Sequence, residues 1–249
     1  MAVPPHPVLH HWYRDEAERR QRVNALFDAS AGQYDGINRM MSLGSGRRYR
    51  RQALLRAGLI AGQRHLDVGA GTGVIALLGQ DIVGPSGEVV ALDPSPGMLE
   101  VARVAGVRQP VPGRAEALPF PDAGFDLLTM GYALRHVTDL DATFTEFLRV
   151  LRPGAKVLIL EITRPPPGLG YHALRFYLRS LVPLLTRLQG SHEAQTLMRY
   201  HWDTIEHCVP PATIIAALQT AGFEQIRRDV VLGLFSEYSG VRPSAQPQS

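Results

Sequence analysis

The residues best suited to chemistry are two carboxylates and a run of alternating glycines. Asp67 precedes the glycines of Gly69–Gly73, and Asp93 ends the next apolar run. Glycine permits a sharp turn and a close approach to a ligand, and a carboxylate at the second position can accept hydrogen bonds from a ribose diol. Val74 stands where a dinucleotide-binding motif needs its last glycine, so the pattern predicts a nucleoside site without a pyrophosphate. The alternative is a glycine-rich turn with no ligand.

A second polar group lies in a later apolar stretch. Arg135 and His136 are consecutive there, and a buried charge is costly unless it serves a purpose. Arginine stays protonated, so we expect Arg135 to stabilise an anionic acceptor or to orient a water molecule. His136 titrates near neutrality and is the predicted general base. The alternative is an ion pair with Asp139 or Asp141, beside a histidine whose hydrogen bonds are satisfied.

The elements that must position these residues alternate between strand and helix. Strands are predicted near His65–Val68, Glu88–Leu92, Pro110–Pro112, Phe125–Met130, Lys156–Glu161, Glu224–Val231 and Leu234–Tyr238. Helices are predicted near Val74–Gln80, Pro96–Val104, Leu140–Leu151 and Pro211–Ala221. The alternation predicts an α/β fold, a doubly wound Rossmann-like domain with a seven-stranded sheet whose last two strands are antiparallel. In such a sheet, ligands bind at the carboxyl ends of the strands.

The remaining segments are predicted to be additions to one domain that spans residues 12–240. Residues 12–57 would form an N-terminal helical cap or lid: a helix over Trp12–Ser30, a folded loop or broken helix over Ala31–Gly46, and a basic helix over Arg47–Ala57. Residues 165–200 would form a helical insertion or lid. Residues 1–11 and 241–249 are expected to be disordered.

Composition narrows the class of protein. A chain of 249 residues that is 45% hydrophobic and 20% charged suits one globular domain. Its single cysteine, Cys208, excludes a disulfide within the chain and favours a reducing cytoplasm. No apolar run reaches the roughly 18 residues that span a bilayer.

The basic residues are unevenly distributed. Residues 1–56 contain ten arginines and five acidic residues, which suits either a surface near lipid headgroups or a solvated helix. His172, Arg175 and Arg179 share one face of a predicted amphipathic helix over Tyr171–Leu188. Such a helix can lie on a membrane, cap an apolar pocket or pack on the sheet. Few aromatic residues accompany the basic stretches, so nucleic acid is not expected as a partner.

Several stretches together resemble a known family of enzymes. The glycine turn and its two carboxylates resemble the first motif and acidic loop of class I S-adenosylmethionine-dependent methyltransferases. More specific stretches resemble the ubiquinone/menaquinone-biosynthesis C-methyltransferase family: Phe27–Asp35, Asn38–Gly44, Ala115–Asp122, Leu134–Asp139 and Leu160–Pro165. The resemblance covers roughly residues 23–165, with a weaker similarity over residues 200–223.

This resemblance implies a donor, an acceptor and a set of site residues. The donor would be S-adenosyl-L-methionine, and the acceptor a ring carbon of a deprotonated, prenylated quinol beside Arg135. No metal is predicted. Asp67 would accept from the cofactor's amino group or a backbone amide, Asp93 would accept from the ribose, and Glu116 would either cap a turn or touch the cofactor. The cofactor-binding residues are predicted to be Tyr34, Asp67, Gly69, Ala70, Gly71, Gly73, Asp93, Pro94, Met98, Ala115, Glu116 and Met130.

The chain departs from the family pattern on the expected acceptor side. The family usually has asparagine at position 136, His-Arg where Gly46-Arg47 stands, and tryptophan at position 49, where this chain has His136, Gly46 and Tyr49. These changes predict a modified quinol or a small specialised metabolite as acceptor. Arg114 replaces an Asn or Asp, so the contact with the adenine amine must shift to the backbone or to Glu116.

The leading prediction is therefore a cytoplasmic methyltransferase that acts on carbon of a quinol or phenol-like ring. Its alternatives are an O- or N-methyltransferase of a specialised metabolite and a cofactor-binding subunit without turnover. The expected partner is a small-molecule or lipid-tailed aromatic substrate. Peripheral association with a membrane and a homodimer are left open.

Overall fold

The computed structural model describes residues 2–41, 45–165, 167–181 and 192–244. Its strands form one seven-stranded sheet in the order β3-β2-β1-β4-β5-β7-β6. The strands are β1 (Arg64–Val68), β2 (Glu88–Asp93), β3 (Gln109–Pro112), β4 (Phe125–Gly131), β5 (Leu151–Ile162), β6 (Glu224–Val231) and β7 (Phe235–Val241). Strands β1 to β5 are parallel, and β7 pairs antiparallel with both β5 and β6. The predicted α/β fold and its seven-stranded sheet are confirmed.

Helices cover both faces of this sheet. They are α1 (Glu16–Met41), α2 (Gly46–Ala57), α3 (Val74–Val83), α4 (Pro96–Val104), α5 (Leu140–Val150), α6 (Leu169–Phe176), α7 (His192–Glu206) and α8 (Pro211–Ala221). A 3₁₀ turn over Leu134–His136 follows β4, and a π-helical turn over Tyr177–Leu181 follows α6. Among the described helices, none is both long enough and apolar enough to cross a bilayer.

The core lies on both faces of the central strands. Leu66 and Leu128 pack with the helices of one face, whereas Leu127 and Leu158 pack with those of the other. These strands carry apolar side chains on both faces, because a parallel sheet is buried on both sides. The strand order changes direction at β1, which lies between β2 and β4. The carboxyl ends of these three strands therefore border a crevice suited to a ligand.

Helix α1 is longer than the sequence predicts. Residues 31–41 continue it to Met41, so the predicted folded loop over Ala31–Gly46 is wrong for these residues; residues 42–44 lie outside the described part of the chain. The helix packs against α4 and α7, with Phe27 and Tyr34 against the buried cluster of α7 that includes Trp202. Such packing outweighs the low helix propensity of the glycines in this segment.

The N-terminal segment is ordered by contacts with the domain, so the prediction of disorder is wrong for residues 2–11. The amide of Leu140 donates to the carbonyl of Val3 (2.9 Å), and that of Val209 donates to the carbonyl of Pro5 (2.8 Å). The side chain of Leu9 is buried. Proline lowers the entropy lost when a segment becomes ordered, which explains how this short stretch can dock.

The predicted C-terminal tail and the predicted amphipathic helix lie only partly within the described residues. Val241 ends β7, and the guanidinium of Arg242 donates to the carbonyls of Leu148 and Arg149, so the predicted disordered tail is wrong at its beginning. Residues 245–249 lie outside the described residues, as do residues 182–191 of the predicted amphipathic helix. The described start of that helix, α6, has no buried side chain.

Candidate functional site

The first of two neighbouring cavities lies at the carboxyl ends of β1, β2 and β4. Most of the predicted cofactor-binding residues line it, namely Tyr34, Gly69, Gly71, Asp93, Pro94, Met98, Ala115, Glu116 and Met130. Arg19 and Phe27 of α1 add to the wall. The cavity thus lies between the strand ends and α1.

Asp93 is held rigidly at the end of β2. One carboxylate oxygen accepts from the amide of Gly71 at 2.8 Å, and the other accepts from the amide of Ser95 at 2.9 Å. Burial raises the pKa of Asp93 to about 6, so the group is ionised at neutral pH. Each oxygen of a carboxylate can accept a second hydrogen bond, which leaves capacity for a pair of ligand hydroxyls.

Two glycines of the turn differ in what surrounds them: Gly69 borders both cavities, whereas Gly73 packs against neighbouring side chains. Gly69 lines both cavities and has φ +66°, and a Cβ there would approach the Cβ of Ala133 to 2.5 Å. Gly73 lines neither cavity, and a Cβ there would approach Val107 to 2.4 Å. Its bare backbone therefore lets α3 pack beside α4, which is a structural role in place of the predicted contact with the cofactor.

Glu116 joins the loops after β3 and β4. Its Oε1 accepts from the amide and the hydroxyl of Thr138, at 2.6 and 2.8 Å. Burial raises the pKa of Glu116, but these hydrogen bonds outweigh it and leave the pKa below its usual range. Arg114 lies 3.4 Å from the same carboxylate. Of the two predicted roles for Glu116, the structure shows the capping of a turn, at a place that also lines the first cavity.

The second cavity adjoins the first. Tyr34, Gly69, Gly71, Gly131 and Tyr132 line both. The second cavity is otherwise lined by residues of β1 and the turn after it, of α2, of the 3₁₀ turn after β4, of α6 and the π-helical turn after it, of α7, and of the β6–β7 hairpin. These include Gly46, Tyr49, Arg50, Asp67, Ala70, Arg135, Leu174, Tyr177, His201, Leu234 and Phe235. Two of the residues that depart from the family pattern, Gly46 and Tyr49, therefore lie in the same cavity as Arg135.

Asp67 belongs to β1 and lines this second cavity. Its Oδ1 accepts from the hydroxyl of Thr129 at 2.8 Å, and Thr129 lies 2.8 Å from Nε2 of His65. Because the only hydroxyl proton of Thr129 goes to the carboxylate, Nε2 of His65 must carry the other proton and donate it. Among the described residues, Oδ2 of Asp67 has no hydrogen-bond partner. This buried, unpaired atom fits a cofactor group that can donate, as the sequence predicts.

Replacing Asp67 with asparagine should stabilise the protein without cofactor. Burial raises the pKa of Asp67 from 3.8 to about 7, so ionisation of this carboxyl group costs free energy in the folded state. The cost lowers stability at every pH at which Asp67 is already ionised in the unfolded chain. The penalty begins near pH 4 and grows until about pH 7. Asp67→Asn should therefore raise Tm more at pH 8 than at pH 5 in thermal unfolding.

A surface variant serves as the control for this prediction. Asp81→Asn makes the same chemical change at an exposed position of α3 and should leave Tm nearly unchanged at both pH values. A lower Tm for Asp67→Asn at pH 8 would contradict the claim that the carboxylate destabilises the fold.

Arg135 forms a buried ion pair with Glu161, at the end of the neighbouring strand. The two side chains are 0% and 1% exposed. The alternative partners predicted from the sequence are wrong, because Asp139 instead caps α5, accepting from the amide of Asp141 at 3.0 Å. Burial lowers the pKa of Arg135. Among the described residues, Nη2 of Arg135 and Oε2 of Glu161 have no hydrogen-bond partner, which leaves a donor at the wall of the second cavity.

His136 lines the first cavity, whereas Arg135 lines the second. In a 3₁₀ turn successive side chains point in different directions, which separates it from Arg135. Its ring stacks on Tyr200 and meets Phe27 edge-on, with centroids 5.5 and 5.1 Å apart. Burial and then the charge of Arg135 hold the pKa of His136 well below its usual range. Its role as the base stays a prediction, and such a low pKa makes a weak base.

Several residues of the site were not predicted as functional. Arg19 is buried and donates to the carbonyls of Arg135 and Val137 at 2.9 and 3.0 Å. Tyr132 lines both cavities with φ +62°, a conformation that costs about 1–3 kcal/mol. The spacing of apolar residues in the sequence does not indicate a functional role for Arg19 or Tyr132. Such strain where two cavities meet is typical of a functional position.

Comparison with known proteins gives one consistent result. Residues 15–241 match the model of the ubiE/COQ5 methyltransferase family. Relatives from Pseudomonas paraeruginosa and Stutzerimonas stutzeri, both named ubiquinone/menaquinone biosynthesis C-methyltransferase UbiE, are 34% identical over 247 residues. The alignments cover 95% of this chain and 96% of each relative.

Solved structures of low sequence identity share the fold. A possible histamine N-methyltransferase from Thermotoga maritima, described as S-adenosylmethionine-dependent, has a TM-score of 0.62 and 18% identity, with coverage of 88% of this chain and 98% of its own. A Haemonchus contortus phosphoethanolamine N-methyltransferase in complex with S-adenosylhomocysteine has a TM-score of 0.58 and 17% identity, with coverage of 79% of this chain and 53% of its own.

Proposed function

Because the chain belongs to the ubiE/COQ5 methyltransferase family and is an S-adenosylmethionine-dependent methyltransferase, we propose that it methylates a carbon of a quinol or phenol-like ring. The observation that carries this proposal is the second cavity, which joins the first at Tyr34 and Tyr132 and holds the side chain of Arg135. Its aromatic wall suits a planar ring. The relatives named C-methyltransferases support the choice of carbon.

The first cavity fits the cofactor. Asp93 would hold the ribose hydroxyls, and the loop that carries Ala115 and Glu116 would border the adenine. The bare backbone of Gly71 and of Gly131 would allow the methionine part to lie between the two cavities. S-adenosylmethionine supplies a methyl group on a sulfonium: transfer would break the sulfur–methyl bond with S-adenosylhomocysteine as the leaving group, and the methylated ring carbon would lose its proton to water to restore the aromatic ring.

The residues of the second cavity would then prepare the acceptor. The guanidinium of Arg135 would stabilise a deprotonated ring oxygen, and the charge of that oxygen makes the neighbouring ring carbon nucleophilic. Glu161 keeps the guanidinium fixed in position. An arrangement built before the reaction stabilises developing charge more effectively than mobile water does. The surrounding aromatic side chains would align the ring and exclude water.

Transfer of a labelled methyl group tests this proposal. The protein is incubated with methyl-labelled S-adenosylmethionine and a demethylated benzoquinol with a short prenyl chain, and the product is analysed by NMR. Label on a ring carbon is expected. Label on oxygen or nitrogen would establish one of the alternative methyltransferase activities, and no label on any acceptor offered would contradict turnover on such rings.

We also propose that the rim of the second cavity rests on an anionic lipid surface. Leu169, Phe176 and Leu232 are 91%, 65% and 88% exposed, and Leu232 itself lines the cavity. Helix α2 starts at the same rim and presents Arg47 and Arg48 to solvent. Exposed apolar side chains beside cations are typical of proteins that bind the surface of a bilayer.

Binding to vesicles with anionic lipids should weaken as salt is raised, because salt screens exposed charges. Arg47→Glu should weaken binding in sedimentation assays, whereas Arg108→Glu should not, since Arg108 is exposed before the amino end of β3, at the opposite edge of the sheet. Equal effects of the two substitutions would show that total charge, and not this rim, determines binding.

A further inference from the structure

A second polar group of the second cavity has no assigned role. His201 of α7 is 7% exposed and lines the cavity that also contains Arg135. Its ring lies close to those of Phe27, His136 and Tyr34, with centroid distances of 5.9, 5.8 and 6.4 Å. These contacts on several sides hold the imidazole in one orientation.

The tautomer of His201 follows from its hydrogen bond. Nδ1 lies 3.0 Å from the carbonyl oxygen of Leu197, and because a carbonyl can only accept, Nδ1 carries a proton. Burial, and then the charge of Arg135, lowers the pKa of His201 to about 3, so the ring is neutral at physiological pH. A neutral imidazole with its proton on Nδ1 has a bare lone pair on Nε2.

That lone pair is available to a ligand. Nε2 is at the end of the ring farthest from the Cβ atom, and Nδ1 is already bonded to the backbone of the same helix. Within the described part of the chain, Nε2 has no hydrogen-bond partner. The cavity therefore contains His201 Nε2, a group that only accepts, together with Arg135 Nη2, a group that only donates.

We propose that His201 accepts a hydrogen bond from a ring hydroxyl of the acceptor and so selects a ring with two oxygens. One oxygen, anionic, lies at Arg135, and the other, still protonated, donates to His201. This inference rests on the proposed function and narrows its substrate to a dihydroxylated ring in the reduced state. An oxidised quinone, or a ring whose second oxygen is methylated, offers no hydrogen to Nε2 and leaves that atom buried without a partner.

A site that hydrogen-bonds a substrate hydroxyl discriminates against analogues that lack it, because its own polar atom is then left unpaired. We expect the wild-type protein with S-adenosylhomocysteine bound to bind a short-chain 1,4-benzoquinol at least about tenfold more tightly than its mono-O-methyl ether, one tenfold step being 1.4 kcal/mol. Calorimetry measures both dissociation constants without turnover.

The variant His201→Leu should reduce this ratio to about twofold or less, by weakening the binding of the quinol and not that of the ether. His201→Gln keeps an accepting oxygen and should restore part of the preference. His207→Leu is the matched control: its Nδ1 makes the same contact with the carbonyl four residues earlier, at 2.8 Å from Asp203, but its side chain is exposed. It should keep the wild-type ratio.

The affinity for S-adenosylhomocysteine, which His201 is not proposed to contact, shows whether each variant is folded. If it is retained and His201→Leu keeps the wild-type ratio, the inference is overturned. It is also overturned if neither probe binds, because the second cavity is then not the site of such a ring. Label transferred to oxygen or nitrogen in the assay above would refute carbon methylation, while the ratio of dissociation constants would still decide the role of His201.

Discussion

Replacing Arg135 with methionine is expected to lower the free energy of unfolding by about 3–5 kcal/mol, because it leaves the carboxylate of Glu161 charged and buried without its partner. The pair is fully enclosed, with side chains 0% and 1% exposed. Removal of one member therefore costs far more than the pair contributes as a whole. Chemical denaturation followed by circular dichroism measures the difference.

The double variant Arg135→Met/Glu161→Leu separates pairing from packing. Replacing both members of a buried pair with apolar groups is often neutral or stabilising, so this protein should regain most of the stability lost in the single variant. It should not regain methyl transfer if Arg135 stabilises the acceptor. A double variant less stable than Arg135→Met would show that the ion pair is not the cause of the loss.

The exposed pair of Arg152 and Asp126 provides a matched surface control. Their side chains are 43% and 20% exposed, and surface pairs contribute about 0–1 kcal/mol. Arg152→Met should therefore change the free energy of unfolding by less than about 1 kcal/mol. Because the substitution is the same at both positions, the difference between the two changes in the free energy of unfolding measures the effect of burying the ion pair.

Replacing Asp93 with alanine is expected to weaken binding of S-adenosylhomocysteine by roughly a hundredfold, or about 3 kcal/mol. Two hydrogen bonds from the ribose would be lost. The loop itself would also loosen, because Asp93 accepts from the amides of Gly71 and Ser95. Calorimetry with S-adenosylhomocysteine measures the change, and Asp81→Ala on the surface of α3 serves as control.

Asparagine at position 93 should rescue little of this affinity. Both carboxylate oxygens accept from backbone amides, so the NH₂ group of an asparagine must face one of these donors. Two facing donors repel and leave a buried amide unpaired, which costs about 1–3 kcal/mol. Affinity of Asp93→Asn within threefold of the wild-type value would contradict the role assigned to this carboxylate.

The sequence predicts the residues at the strand ends well and the residues around Arg135 poorly. The residues proposed for the donor, Asp67, Gly69–Gly71 and Asp93, lie at the carboxyl ends of two strands or in the turn that follows one of them. Positions at strand ends can be read from local patterns, because apolar runs and glycines determine where each strand stops. The predicted strands and the helices of the α/β core agree with the structure within a few residues, apart from β5, which begins at Leu151 instead of Lys156; outside that core, α1 continues to Met41 instead of ending at Ser30.

Around Arg135, adjacency in the sequence was misleading. Arg135 and His136 are neighbours in the chain, yet they line different cavities. The histidine that accompanies Arg135 is His201, which comes from α7. His207, one residue past the end of α7, forms the same backbone contact but is exposed, whereas His201 lies on the buried face of α7, four residues from Leu197 and from Ile205.

The sequence by itself determined the order of strands and helices, the turn at Gly69–Gly73 and the carboxylate at its partner strand, because these depend on patterns within a few neighbouring residues. Only the tertiary structure decided that Glu161 neutralises Arg135, that α1 continues over the first cavity and that His201 reaches the second. Each of these depends on which buried groups meet after the chain has packed. A buried charge or lone pair must be satisfied by whatever lies beside it in space, and that neighbour can come from any part of the chain.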